Sequence, residues 1–150
     1  MAATSRFAIA VHVVTALGYR ARLGDNGWIG SPALAESIQT NPVVVRRIVM
    51  SLAKAGLIES QPGRGGGSRL ARPADSISLA EIYRAVEGGA APVLAHNPNP
   101  PNRGCPVSSS MRDALTPVFA GVDAAVEEAL ERTSLADVVA RVRPVGRANA

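Results

Sequence analysis

Residues 7–17, FAIAVHVVTAL, are apolar at nearly every position, and residues 5–22 as a whole predict a helix without a continuous polar face. Such a helix needs cover on two sides, from its own domain and from something else. The stretch GDNGWIG breaks it, with Asp25, Asn26 and Gly27 as turn residues. Ser31 followed by Pro32 predicts a fresh start, with the hydroxyl capping exposed amides and the proline in the first turn. Thr40, Asn41 and Pro42 restart the chain after about two and a half turns. A third helix is expected from Pro42 to about Ala55, capped by Thr40 or Asn41 and stopped by Gly56. Its Val45, Ile48, Val49 and Leu52 recur at helical spacing as a buried stripe, which leaves Val43, Val44, Arg46, Arg47 and Met50 on the other side.

The pattern then changes period. Leu57, Ile58 and Glu59 begin a strand, PGRGGGSRLARP (62–73) reverses it, and Ser68 to Ala71 return beside it. Glycine-rich basic loops also cradle phosphates in enzymes, so the flanks have to decide. A Walker loop needs lysine and serine or threonine after its last glycine, and a dinucleotide loop runs directly into a helix. Here no lysine follows and the chain enters a strand. Two short helices joined by a tight turn and followed by a hairpin with a basic tip describe a winged helix-turn-helix, a mainly α fold with a small β-hairpin.

Beyond the hairpin, Ser78-x-x-Glu81 is a capping box for a helix through about Val86, ended by Gly88 and Gly89. The Pro- and Asn-rich stretch from Pro92 to Pro106 is irregular but stiff, a place for an effector pocket. From about Val107 to Arg132 a long helix sets Val107, Met111, Leu115, Val118, Val122, Val126 and Leu130 at steps of three and four. That seam is of coiled-coil type, and a short winged helix has little core left to receive it, so it is expected to dimerise together with the first helix. Pro117 should kink this helix or restart it at Thr116. Ser134 to Asp137 opens a last short helix, and RPVGRANA is an expected frayed tail. The organisation is therefore 1–87 as DNA-binding domain with a wing at 57–72, 88–106 as loop, 107–142 as dimerisation helices and 143–150 as tail.

Composition narrows the class. With 150 residues, 47% hydrophobic and 3% aromatic, the chain holds one compact domain whose core is Val, Leu, Ile and Ala. One cysteine excludes an internal disulfide, and the first apolar stretch is too short for a bilayer, so a soluble cytoplasmic protein is expected, with no membrane partner. The net charge of +4 is unevenly placed: residues 42–73 carry six basic side chains against one acidic. A basic concentration of this kind suits a polyanion, and arginine suits bidentate contact with phosphate or guanine. Double-stranded DNA is thus the expected partner. Arg46 and Arg47 are the candidates for base edges, and Arg64 and Arg69, with Gly65, Gly66 and Ser68 beside them, for the backbone and minor groove. Thr40, Asn41, Val43, Val44 and Ser51 are lesser candidates.

TNPVVVRRIVMSLAKAGLIES and GRGGGSRLARPADSISLAEIYRAVEGG resemble the winged-helix regulators of the Rrf-two family, whose members include IscR, NsrR and CymR. HNPNPPNRGCPV is most similar to its YwnA-like branch. The resemblance spans Ser5 to about Val142. It implies a homodimeric transcription regulator, usually a repressor, whose third helix enters the major groove and whose wing reaches the adjacent minor groove, on a pseudo-palindromic operator.

The sequence departs from the family's cluster-binding members. These place three cysteines in the loop after RAVEG, and residues 88–106 hold only Cys105, too few for an iron–sulfur cluster. His12 and His96 lack ligand spacing, so neither a cluster nor zinc is expected as cofactor. Cys105, close to Arg103, is a candidate redox sensor or a small packing residue. No nucleophile–base pair, metal cluster or phosphate loop survives inspection, so no enzyme is expected. The competing class is a winged helix that binds another protein without reading DNA. An unidentified small-molecule or redox effector completes the expected partners.

Overall fold

The computed structural model describes residues 5–88 and 92–146. Gly89, expected to help end the fourth helix, and the last four residues of the expected tail lie outside them. The elements run α1 (Arg6–Arg22), α2 (Ser31–Ile38), α3 (Pro42–Lys54), β1 (Ile58–Gln61), β2 (Gly67–Leu70), a short 3-10 turn (Ala74–Ser76), α4 (Leu79–Glu87), α5 (Pro106–Glu131) and α6 (Leu135–Ala140). Among them no helix is long and apolar enough to cross a membrane. The fold is a winged helix with a long C-terminal helix, as the pattern predicts.

α1 sits at the centre because its residues allow it to. Ala10, Val13, Val14 and Leu17 are buried, and α3, α4 and α6 pack around the helix. The other apolar positions of α1, such as Phe7, Ile9 and Val11, lie half-buried at the rim of the core. Phe7 meets Tyr83 of α4 edge to face, with ring centroids 5.5 Å apart. α3 contributes Val45, Ile48, Val49 and Leu52, the stripe read from the sequence, all buried.

Two sequence expectations change at helix ends. Ser31 is not a cap: α2 is capped by Gly30 without any side-chain hydrogen bond, and Ser31 and Pro32 are already helical. An extended Gly30 can turn the chain into the helix unaided, and proline in the first turn sacrifices no hydrogen bond. α5 runs unbroken through Pro117, with no restart at Thr116. The carbonyl that Pro117 leaves without an amide donor is that of Asp113, and just before it the Thr116 hydroxyl donates to the Arg112 carbonyl at 2.8 Å.

The capping box of α4 is present in full. Ser78 accepts from the Glu81 amide at 3.2 Å, and the Glu81 carboxylate accepts from the Ser78 amide at 2.9 Å. Replacing Ser78 by alanine should cost about 1 kcal/mol of folding free energy, read as a lower urea midpoint with unchanged slope. Burial raises the Glu81 carboxyl, but the Ser78 amide and the ion pair with Arg72 outweigh it and hold the carboxyl below the ordinary glutamate value. Because its folded-state value is depressed, the stabilisation is complete above the unfolded value of about 4.3 and is lost as pH falls through the folded one. Urea titrations of wild type and Glu81→Gln should therefore converge as pH is lowered below about 4.

α5 is joined to the domain at one end. Arg84 of α4 pairs with Glu127 at 3.5 Å and Glu131 at 3.1 Å, and the Ser78 hydroxyl also donates to Glu131. The Leu79 amide donates to Thr133 and the Leu135 amide to Ile77, which ties the start of α4 to the start of α6. The loop before α5 folds back along it: the Val93 amide donates to Asp123 at 3.0 Å, and His96 lies against Phe119 with centroids 4.8 Å apart. No residue of α5 is buried.

Candidate nucleic-acid interface

The turn between α2 and α3 aims the surface of α3. Gln39 ends α2 in the left-handed region, at φ 60°, and its side chain donates back to the Glu36 carbonyl at 2.7 Å. Asn41 follows as the cap of α3, its Oδ1 accepting from the Val43 amide at 2.8 Å. Asn41 and not Thr40 is thus the cap, and Thr40 lies half-buried beside it.

With Val45 and Ile48 held in the core, Val43, Val44, Arg46, Arg47 and Met50 are exposed on α3. Arg46 and Arg47 are neighbours on its first half, and neither is engaged in an ion pair among the described residues. Ser51 is half-buried, its hydroxyl donating to the Arg47 carbonyl at 3.3 Å. A groove of about 620 Å3 runs from Arg47 and Ser51 to Ser5 and Arg6 at the start of α1.

The wing is antiparallel, with Ile58 opposite Leu70 and Gln61 opposite Gly67. Arg64 and Gly65 lie at its exposed tip, and Arg64 has no ion pair among the described residues. Two glycines close it. A Cβ on Gly66 would lie 2.1 Å from the Gln61 carbonyl oxygen. Gly67 has φ +146°, and a Cβ there would lie 2.4 Å from the Ile29 carbonyl. That proximity comes from a contact the sequence did not reveal: Ile29 and Ser68 exchange backbone hydrogen bonds at 3.0 and 2.9 Å, which adds a third edge to the hairpin. Gly67→Ala should therefore detach the wing from residue 29, seen as faster amide exchange at Ile29 and Ser68.

Two wing candidates are placed differently from the sequence expectation. Ser68 is 2% exposed, enclosed by Ile29 and by Ser60, whose hydroxyl lies 3.4 Å from its own. Its side chain thus lies on the buried face of the hairpin, not on the exposed surface the sequence reading expects. Arg69 is half-buried: Nε donates to Glu59 at 2.8 Å and the guanidinium stacks over Trp28, 4.3 Å from the ring centroid. Trp28, which the sequence places in the turn GDNGWIG, lies half-buried at this edge of the hairpin. Its alternation with buried Ile29 was the signal for a strand edge, too short to register as a strand.

Residues 3–141 match the Rrf2 family model, described as an iron-dependent transcriptional regulator. The chain belongs to the Rrf2 family. YwnA of Bacillus subtilis, described as a candidate HTH-type transcriptional regulator, is 39% identical over 136 residues, 90% of this chain and 95% of that protein. A crystal structure described as a candidate DNA-binding protein is 35% identical with a TM-score of 0.68, covering 89% of this chain and 98% of the other. CymR, named as the global cysteine regulator of B. subtilis, shares the fold at 20% identity and a TM-score of 0.65, over 95% of this chain and 99% of its own. The sequence resemblance to Rrf2 proteins, with the YwnA-like branch, is thus borne out.

The iron in the Rrf2 description does not fit the donor set here. Thiolate is the usual ligand of an iron–sulfur cluster and about four ligands are required, whereas the whole chain has one cysteine. No three His, Cys, Asp or Glu side chains converge among the described residues. Cys105 itself is half-buried and caps α5, its carbonyl accepting from the Ser109 amide at 3.0 Å and hydroxyl at 2.8 Å.

Proposed function

We propose that this Rrf2 protein is a homodimeric, sequence-specific DNA-binding repressor that reads a pseudo-palindromic operator through α3 and the wing. The observation that carries the reading is the exposed pair Arg46 and Arg47 on a capped helix, next to a wing with Arg64 at its tip, all three without an ion pair among the described residues. Arginine presents a donor fork to guanine O6 and N7, and Val43 and Val44 suit thymine methyl groups. Arg64, with Gly65 and Gly66 keeping the tip slim, suits the minor groove and its phosphates. Arg69 serves the same region by a less direct route: stacked on Trp28 and held by Glu59, it fixes the wing and presents only its outer edge. Thr40, Asn41 and Ser51 lie where phosphates flanking the groove would pass.

Dimerisation rests on α5, whose apolar seam is only partly covered within the chain: Val107 is 64%, Met111 44% and Val118 56% exposed, while Leu115, Val122, Val126 and Leu130 are half-buried. Two protomers joined there would present their α3 helices to successive major grooves. Regulation by oxidation would enter at Cys105, since peroxide converting its thiol to a sulfenic acid would enlarge a group wedged between loop and helix. Peroxide should then weaken DNA binding by wild type and not by Cys105→Ser.

The decisive experiment selects genomic fragments with the purified protein and footprints the best. The reading expects protected half-sites about 10 base pairs apart, or a small multiple of that. Fragments without shared sequence, or protection lacking twofold symmetry, would overturn it.

A further inference from the structure

A cavity of about 540 Å3 lies at the base of the wing, on the side of α1 that faces α6. Its floor is apolar, made by Leu70 at the end of β2 and by Ala136, Val139 and Ala140 of α6. Its polar groups are few and of both signs. Arg22 uses one N–H on the Val139 carbonyl, at 3.2 Å, and makes no other hydrogen bond among the described residues. Arg72 is ion-paired with Glu81 through one terminal nitrogen, while its Nε is buried without a partner. Asp75 and Asn26 line the same cavity from exposed positions, and neither side chain makes a hydrogen bond among the described residues.

An apolar cavity of this size with a small set of unsatisfied polar groups is the usual form of a small-molecule site. The two guanidiniums favour a carboxylate. A simple anion would meet Asp75, and a simple cation would meet Arg22 and Arg72. A zwitterion satisfies both, and the floor asks for an apolar body. We propose that this cavity binds a free α-amino acid with an aliphatic or thioether side chain, its carboxylate on Arg22 and Arg72, its ammonium on Asp75 and Asn26, and its side chain on the floor.

The place of the site gives it a consequence. Residues 70–75 run without a break from β2 into the 3-10 turn, so one occupant touches the wing and α6 together. Binding there would bias the wing, an effect on DNA affinity that rests on the function proposed above; the binding itself does not.

Calorimetric titration of the full chain, without DNA, tests the site with L-leucine and L-methionine as probes. 4-Methylpentanoate and 3-methylbutylamine serve as analogues with one charge each. The expected result is saturable binding of at least one amino acid with a Kd below about 1 mM. Each analogue, and Asp75→Asn with the amino acid, should bind at least about tenfold more weakly. Asp75 is exposed, so thermal unfolding confirms that this variant is folded, and Ala140→Met, which covers the floor from an exposed position, is the second check. No saturable binding of either amino acid, equal binding of 4-methylpentanoate, or full binding by both variants would each overturn the proposal. Gel shifts with and without the probe then read the effect on DNA separately.

Discussion

Replacing Arg46 and Arg47 together by alanine is expected to weaken binding to the selected operator by roughly 30-fold to 20,000-fold, from about 1–3 kcal/mol for each bidentate guanine contact. The fold should survive. Both side chains point away from the core that Val45, Ile48 and Val49 build, and neither has an ion-pair partner among the described residues to leave behind. The pattern of the loss matters more than its size. An arginine that reads bases relaxes specificity at one operator position when removed, whereas one that touches phosphate weakens every sequence about equally and lowers the salt slope by about one. Competition gel shifts on point-substituted operators separate the two. Uniform loss in both single variants would assign the pair to the phosphate backbone.

Introducing glutamate at both Met111 and Val118 should separate the dimer. The seam is apolar and carries no buried residue within one chain, so these positions tolerate charge in the monomer. In a twofold interface each substitution appears twice, and an unpaired buried charge costs about 3–5 kcal/mol. Dimerisation should weaken by at least about a hundredfold, with the monomer's unfolding curve little changed. Sedimentation velocity gives the first quantity and circular dichroism the second. DNA affinity should fall with it, since one protomer reaches one half-site. A double variant that remains dimeric would move the interface off α5.

Much of the fold was legible because each helix of the winged domain carries its own punctuation. Asn41 and Pro42, Ser78 with Glu81, and Ser134 with Asp137 all act as the sequence suggests, since caps are local chemistry. Ser31 misled for the same local reason: the chain offered two starts one residue apart, and the extended Gly30 took the cap. Of the two outcomes expected at Pro117, a kink or a restart, the restart does not occur, since α5 continues through Thr116 and Pro117.

The proposed recognition surface was legible in α3, where a 3.6-residue period separates buried from exposed positions. It was less so in the wing. The inward turn of Ser68 and the capture of Arg69 depend on Ile29 and Trp28, some forty residues earlier in the chain. Long-range pairing through a single bridge leaves almost no periodic trace. The base-of-wing cavity was invisible for the same reason, since α1, residues 70–75 and α6 meet only in three dimensions.

In the function proposed above, paired cationic faces of two protomers neutralise the backbone of one duplex. This is tested most directly by the salt dependence of wild-type affinity for a selected operator. Six or more phosphate contacts shared by the two protomers predict a log–log slope of about −5 or steeper, with affinity falling about a thousandfold between roughly 50 and 200 mM salt. A flat slope, or no binding to any duplex at the lower salt, would contradict the account.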